Sequence, residues 1–169
     1  MNTSKFLIKN AFDNLGKLST RQREIWDLFY INKTDVLPLN KTQIDPVILA
    51  KYLSQIWMAD LIVEDGKLID MKYRLIGTKL TPVYGERTGE CVFTDDSPQS
   101  LKNSMPISFD RLEKLLNFII KEKVPIHTAT TVFEKNKEYL KATGLVFPVF
   151  NNSEEINMVF GYVEVTNNI

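Results

Sequence analysis

The stretch from Trp57 to Thr78 constrains the fold more than any other part of this 169-residue chain. It contains Asp65-Gly66, a dipeptide that readily takes positive φ at both central positions of a two-residue hairpin turn. In the arm after the turn, apolar and charged residues alternate, which is typical of a half-buried antiparallel strand. The alternation predicts one inward face, formed by Ile69, Met71, Tyr73 and Leu75.

Caps and apolar periodicity predict helices on both sides of this hairpin. Residues 1–17 carry a loose helical stripe, and Ser19 and Gln22 have the spacing of a capping box that opens a second helix. Asp45-Pro46 is a helix-start signal before the hairpin. After the hairpin, Ser108 is placed to cap a long helix whose buried stripe is Leu112, Leu115, Leu116 and Ile119.

Three strands are predicted in the C-terminal part of the chain, at Ile126–Phe133, Tyr139–Phe150 and Ile156–Thr166. The links between them have hairpin length, with Asn151-Asn152-Ser153 before the last strand, so the sheet should be antiparallel. Two strands, then helices, then three strands predict an α+β fold with one five-stranded antiparallel sheet.

Several motifs resemble those of a bacterial family of stand-alone PAS domains. They are LPLNKTQIDP at 37–46, YRLIGT at 73–78 and YGERTG at 84–89, together with Pro125 and Pro148. The match covers roughly residues 35 to 165. It implies a PAS-like five-stranded sheet with flanking helices and a sensory or protein-interaction role, and it names no ligand. The family signature falls on Asp45, Pro46, Tyr73, Arg74, Gly77, Thr78, Gly85 and Gly89.

The resemblance divides the chain into an N-terminal helical extension, residues 1–34, and a PAS-like domain, residues 35–169. The extension carries one stripe of large side chains that must be hidden either on the protein's own sheet or against a second copy. PAS relatives often dimerise through helices that flank the core, which favours a homodimer. The predicted interface residues are Ile25, Trp26, Phe29 and Tyr30.

Composition restricts the partners and the compartment. Lys and Arg balance Asp and Glu at 21 each, so no basic field favours nucleic acid. Cys91 is the only cysteine, which excludes an internal disulfide and suits a reducing compartment. Neither a signal peptide nor an apolar run of the ~20 residues that a membrane helix needs is visible. We expect a soluble, cytoplasmic protein without a membrane partner.

The sequence offers no complete cofactor or metal motif. His127 is the only histidine, and one histidine with one cysteine cannot build a transition-metal site. The segment from Gly89 to Phe93 is superficially similar to the cysteine motif of flavin-binding light sensors, but the motif's Asn, Arg and Gln are absent. We therefore expect no haem, flavin or metal as an obligate cofactor.

The function that these features favour is that of a PAS-like sensory or regulatory module rather than an enzyme. It would bind a small apolar ligand, a signalling protein partner, or both. The pocket is expected between the sheet and the helix Phe109–Lys121, with Tyr73, Leu75 and Leu116 as its walls. Two alternatives stay open: a small pocket enzyme, which needs a buried acid or histidine at the pocket, and a ligand-free adaptor with a filled core.

Overall fold

The sheet of this protein is described from a computed structural model that covers residues 6–30, 39–131, 133–134, 136–137, 140–150 and 155–167. Its strands are β1 (Leu7–Asn10), β2 (Leu39–Asn40), β3 (Ile56–Glu64), β4 (Lys67–Ile76), β5 (Ile126–Thr130), β6 (Leu140–Phe150) and β7 (Ile156–Asn167). The α-helices are α1 (Thr20–Tyr30), α2 (Thr81–Tyr84), α3 (Leu101–Ser104) and α4 (Pro106–Glu122). Short 3₁₀ helices span Ala11–Lys17, Lys41–Gln43 and Ala50–Gln55.

The strands form one seven-stranded sheet in the order β1-β5-β6-β7-β3-β4, with β2 beside β6. Every pairing is antiparallel except the two-residue pairing of β2 with β6. The expected α+β class is confirmed. The sheet is wider than the expected five strands because β1 extends the edge at β5 and β2 adds a short segment at β6.

The hairpin of β3 and β4 turns where the sequence predicts, at Asp65 with φ 51° and Gly66 with φ 73°. The alternation beyond the turn is interrupted twice, because the pairing with β3 skips Ile69 and Arg74. Each skipped residue is a bulge that reverses which face the following side chains occupy. The predicted inward face is therefore only partly correct: Ile69 is 45% exposed and Leu75 packs on the opposite face of the sheet.

Both faces of the sheet are covered. On the face that we call inner, Met71, Tyr73 and Val146 pack against Leu115 and other residues of α4. The outer face packs against the N-terminal elements and the 3₁₀ helix Ala50–Gln55. A sheet that is covered on both faces buries the odd-numbered and the even-numbered residues of a strand alike, which explains why β6 and β7 are almost continuously apolar.

The stripe on α1 lies on this outer face, which corrects the predicted dimer interface. Ile25, Trp26, Phe29 and Tyr30 are between 0% and 6% exposed within the single chain. The Phe29 ring lies 5.7 Å from that of Phe147, and the Tyr30 ring stacks on Phe147 at 6.1 Å. The stripe cannot serve as the surface between two copies in this fold, because the chain's own sheet already covers it.

The N-terminal elements differ from the prediction in type. Residues 7–10 form the edge strand β1 instead of continuing a helix, while the Ser19–Gln22 capping box is confirmed by both of its hydrogen bonds, 2.9 and 3.1 Å. Asp45 Oδ1 accepts a 2.8 Å bond from the Val47 amide, but the helix that follows is the 3₁₀ helix Ala50–Gln55. The boundary at 34/35 and the turn at 151–153 lie outside the described residues.

The longest helix, α4, begins two residues before the predicted cap. Pro106 occupies its first turn, and Ser108 is already inside the helix. The helix ends at Glu122, and its C-cap, Lys123, has a left-handed backbone two residues before Pro125. Within the described ranges, no helix is long and apolar enough to cross a membrane.

The packing of α1 predicts unequal effects of two substitutions on the same helix. Trp26→Ala should lower the free energy of unfolding by about 3–5 kcal/mol, because it removes a large ring from a filled interface. Leu28→Ala, at a position that is 46% exposed, should change it by about 0.5 kcal/mol or less. Urea unfolding measures both. The account would be contradicted if the unfolding midpoint of wild type rose with protein concentration and that of Trp26→Ala did not. The stripe would then be a dimer interface.

Candidate functional site

A cavity of about 110 Å³ lies between the inner face of the sheet and the helices α2, α3 and α4. Most of its wall is apolar, with Trp57 from β3, Leu112 and Leu115 from α4, and Val146 from β6. The indole of Trp57 contacts Gly161, where an added Cβ would come within 2.3 Å of the indole nitrogen. The remaining lining residues are Phe6, Tyr73, Ile76, Leu80, Tyr84, Leu101, Ser108, Arg111, Thr128, Thr130, Ala142, Thr143 and Val163.

Arg111 is the charged side chain in this wall. It projects from α4 and is only 8% exposed. Its guanidinium donates hydrogen bonds to the hydroxyls of Thr130 and Ser108, the latter at 3.2 Å. It also lies 5.1 Å from the centroid of the Phe133 ring, and burial lowers its pKa. These contacts fix a cation at the cavity wall.

Two tyrosines add hydroxyl groups to the same cavity. Tyr73 is 8% exposed and meets Trp57 edge to face at 6.2 Å. Its hydroxyl, like that of Tyr84, makes no hydrogen bond to another described residue. Burial raises the pKa of Tyr73 above its usual range and that of Tyr84 to about 12. Both hydroxyls are therefore protonated at neutral pH and able to donate to a bound molecule.

Of the three predicted pocket walls, Tyr73 is among the lining residues of this cavity, and Leu75 and Leu116 are not. Leu75 faces the opposite side of the sheet, because the bulge at Arg74 reverses the alternation. Leu116 is fully buried behind the cavity, while Leu112 and Leu115 line it. Arg111 is not among the predicted wall residues, although it lies four residues before Leu115 on the buried stripe of the helix.

A second arginine, Arg87, organises the loop that follows the cavity. Its guanidinium is buried with Glu90, 3.2 Å away, and also donates to the carbonyls of Tyr84 and Gln99, at 2.7 Å each. Glu90 accepts a 2.6 Å bond from the amide of Leu101, where α3 begins. This buried ion pair joins the end of α2 to the start of α3.

The signature residues serve the backbone more than the cavity. A Cβ on Gly77 would lie 2.3 Å from the carbonyl oxygen of Ser54, so only glycine fits against the preceding 3₁₀ helix. Gly85 and Gly89 have φ of 83° and 88° around Arg87. Arg74 forms an exposed 2.9 Å ion pair with Asp60 on β3. Tyr73 is the one signature residue that lines the cavity.

His127 and Cys91 lie away from the cavity lining. His127 is buried on the outer face, where its Nδ1 lies 2.8 Å from Asn14 Nδ2 and burial lowers its pKa. Its Nε2 has no hydrogen-bond partner within the described residues. Cys91 is half-buried beside Lys72 at the edge of β4. Among the residues that the structure describes, no group of three or more His, Cys, Asp or Glu side chains could hold a metal ion.

Comparisons of the chain with protein-family models, with curated proteins and with solved structures find no match.

The buried ion pair of Arg87 and Glu90 predicts a contrast between two acid-to-amide substitutions in one loop. Glu90→Gln should destabilise the protein by about 3 kcal/mol, because it leaves the buried Arg87 charge without its partner. Asp96→Asn is the matched control, since Asp96 is 80% exposed beside Lys102 and should cost less than about 1 kcal/mol. Thermal and urea unfolding measure both. Equal losses would show that the Arg87–Glu90 pair does not hold the loop.

Burial of His127 predicts a specific loss of stability in acid. Its folded pKa is below the unfolded value of 6.5, so protons bind preferentially to the unfolded chain. The contribution of neutral, buried His127 to the free energy of unfolding is therefore fully present above pH 6.5 and is lost as the pH falls below that value. Between about pH 8 and about pH 5.5, wild type should lose up to about 1.4 kcal/mol per pH unit more than His127→Leu. Parallel pH profiles of unfolding free energy would contradict this account.

Proposed function

We propose that this protein is a PAS-like sensory module that binds a small ligand in the cavity between the sheet and α4. The observation that carries the proposal is the cavity itself, whose lining residues include Tyr73 and Tyr84. The hydroxyls of these tyrosines make no hydrogen bond to another described residue, so they are available to donate to a ligand in the cavity.

The order of the elements supports the PAS likeness. The hairpin β3–β4 is followed by α2, α3 and α4 and then by β5, β6 and β7, all in one sheet. Two strands, helices and three strands in that order are what the resemblance implies. The motif YRLIGT runs from β4 into the turn before α2, so it lies beside the cavity.

The cavity favours ligand binding over the two alternatives. Tyr73, Tyr84 and Arg111 are the titratable groups among its described lining residues, and none of them exchanges a proton readily near neutral pH. An acid–base enzyme would need a carboxylate or histidine at this wall. A ligand-free adaptor would have a filled core, whereas about 110 Å³ is open here.

The elements around the cavity offer a route by which occupancy reaches a partner protein. Phe6 lines the cavity just before β1, and the Arg111 guanidinium lies 5.9 Å from its ring. Strands β6 and β7 also carry α1 on their outer face. A ligand that changes the packing at Phe6 would shift the population between two arrangements of the N-terminal elements, and a signalling partner would recognise one of them.

Native mass spectrometry of freshly purified protein tests the proposal. Wild type should carry a small organic molecule, and Ala142→Leu, which fills the cavity from β6, should lose it while remaining folded. Val47→Leu, at a position 81% exposed, is the matched control and should keep it. The proposal is contradicted if mass spectrometry detects no bound molecule and if no compound in a panel of small acids, amides and alcohols changes the Tm by more than about 1 °C.

A further inference from the structure

We infer that the ligand of this cavity is a neutral carbonyl compound, a ketone, aldehyde or ester, whose oxygen accepts hydrogen bonds from Tyr73 and Tyr84. This inference rests on the proposed function, because it names the ligand class of the same cavity. Three properties of the site carry it: hydroxyls that bond no described residue, charges that are already balanced within the protein, and a wall that is otherwise mostly apolar and aromatic.

The hydroxyl groups in the cavity wall differ in whether the protein already uses them. Those of Ser108, Thr130 and Thr143 each accept a hydrogen bond from another side chain. The lining residues whose hydroxyls bond no other described residue are Tyr73, Tyr84 and Thr128. Two of these three groups are phenols, so the donors that remain for a ligand come mainly from the tyrosines.

One loop holds both tyrosines at the cavity. The Tyr73 amide donates to the carbonyl of Glu90 at 3.1 Å, and Arg87 donates to the Tyr84 carbonyl at 2.7 Å. The buried ion pair of Arg87 and Glu90 completes the link between the two tyrosines. Burial is the main cause of the raised pKa of Tyr73, and Tyr84 adds to it, so the two hydroxyls lie within electrostatic reach of each other. Both donors therefore serve the same part of the cavity.

A carbonyl oxygen suits these donors better than an alcohol or an amide does. Burial keeps both phenols protonated, and a phenol donates more strongly than it accepts because its ring withdraws electron density from the oxygen. A carbonyl oxygen has two lone pairs and brings no hydrogen of its own. The O–H of an alcohol or the N–H of an amide would need a further acceptor in a largely apolar wall, and a missing acceptor costs free energy.

The charges beside the cavity are balanced within the protein, which disfavours an ionic ligand. Burial lowers the pKa of Arg111, and the carboxylates of Glu134 and Asp110 oppose this effect, so they already act on its charge. Glu134 is fixed at the start of α4, where its carboxylate accepts a 2.9 Å bond from the Ser108 amide. An ionised ligand would lose hydration here without gaining an unpaired counter-charge, so a neutral molecule is favoured.

Aromatic rings form much of the remaining wall and favour an unsaturated ligand body. The rings that line the cavity are those of Phe6, Trp57, Tyr73 and Tyr84. Trp57 and Tyr73 meet edge to face at 6.2 Å, and a flat ligand can make the same kind of contact with either ring. The cavity of about 110 Å³ is half-open, so it holds the carbonyl end and sets no upper limit on the rest of the ligand.

Three probes with the same number of heavy atoms test this inference in the full-length chain. Acetophenone carries the carbonyl oxygen, α-methylstyrene has a methylene group in its place, and benzoate carries a charge. Calorimetric titration at neutral pH measures the three dissociation constants. Acetophenone should bind at least about tenfold more tightly than benzoate. Ala142→Leu, which fills the cavity, should abolish the binding of acetophenone and so assign it to this site.

Variants that each remove one oxygen atom test the role of the phenols. Tyr73→Phe and Tyr84→Phe should each weaken acetophenone binding by about threefold to tenfold, because each removes one hydrogen bond. Binding of α-methylstyrene should change by less than about twofold, because this probe has no oxygen to accept the bond. Tyr30→Phe is the matched control: its hydroxyl is also buried without a described partner, but on the outer face, so both affinities should equal those of wild type.

The substitutions keep the aromatic ring, and thermal unfolding checks that each variant is folded. If one of the two cavity variants does not fold, the other gives the same comparison of the two probes. Equal weakening of acetophenone and α-methylstyrene in a folded cavity variant, or weakening of neither, would overturn the role of the phenols.

The remaining outcomes separate this inference from the proposed function. Benzoate binding as tight as that of acetophenone would overturn the neutral ligand class while the cavity remained a binding site. Binding of a small acid, amide or alcohol when acetophenone does not bind would have the same meaning. Absence of binding by all of these compounds, with no molecule on the purified protein, would remove the proposed function as well.

Discussion

The requirement that both faces of one sheet be covered governs this structure. Strands β6 and β7 place Val146 and Val159 on the inner face, and Phe147 and Phe160 on the outer face. The two phenylalanine rings stack at 4.7 Å beneath α1. Burial of each such side chain contributes about 1.5–3 kcal/mol, so removing the helix from either face would expose a large apolar surface. The N-terminal elements therefore stabilise the same sheet that forms the cavity.

The two covered faces are filled differently, and the cavity follows from this difference. The outer face is closed by interlocking aromatic rings from α1 and the sheet. On the inner face the strands contribute smaller residues, including Ala142 and Val146, opposite a helix that carries Arg111. A guanidinium keeps polar partners and cannot be packed like a leucine, so space remains beside it. The open volume and the charged group thus arise from the same position on α4.

Local signals in the sequence predict much of the fold. The Asp65-Gly66 turn, the long helix before Pro125 and the three C-terminal strands follow from φ preferences, periodicity and turn residues. The bulges at Ile69 and Arg74 cannot be predicted from local signals, because they depend on pairing with β3 and on the segment that covers β4. Asp70 illustrates this: its carboxylate accepts bonds from the amide of Phe93, at 3.0 Å, and the hydroxyl of Thr94, at 2.6 Å. A charged residue of the alternating strand is thereby buried.

The candidate site shows the same limit. Tyr73 could be predicted because Met71, Lys72 and Tyr73 alternate regularly between the two bulges, but Leu75 lies beyond the second bulge and faces away. Arg111 and Arg87 are charged residues whose burial depends on partners distant in the chain, such as Thr130 and Gln99. Periodicity assigns such residues to the surface unless their tertiary partners are known.

The central claim is that a ligand-sized space lies between the sheet and α4. A crystal structure of the protein under xenon pressure tests this most directly, because xenon enters apolar cavities of this size. We predict a xenon atom in contact with Tyr73, Leu115 and Val146 on the inner face. A structure in which these three side chains pack against one another, with no xenon between them, would contradict the account.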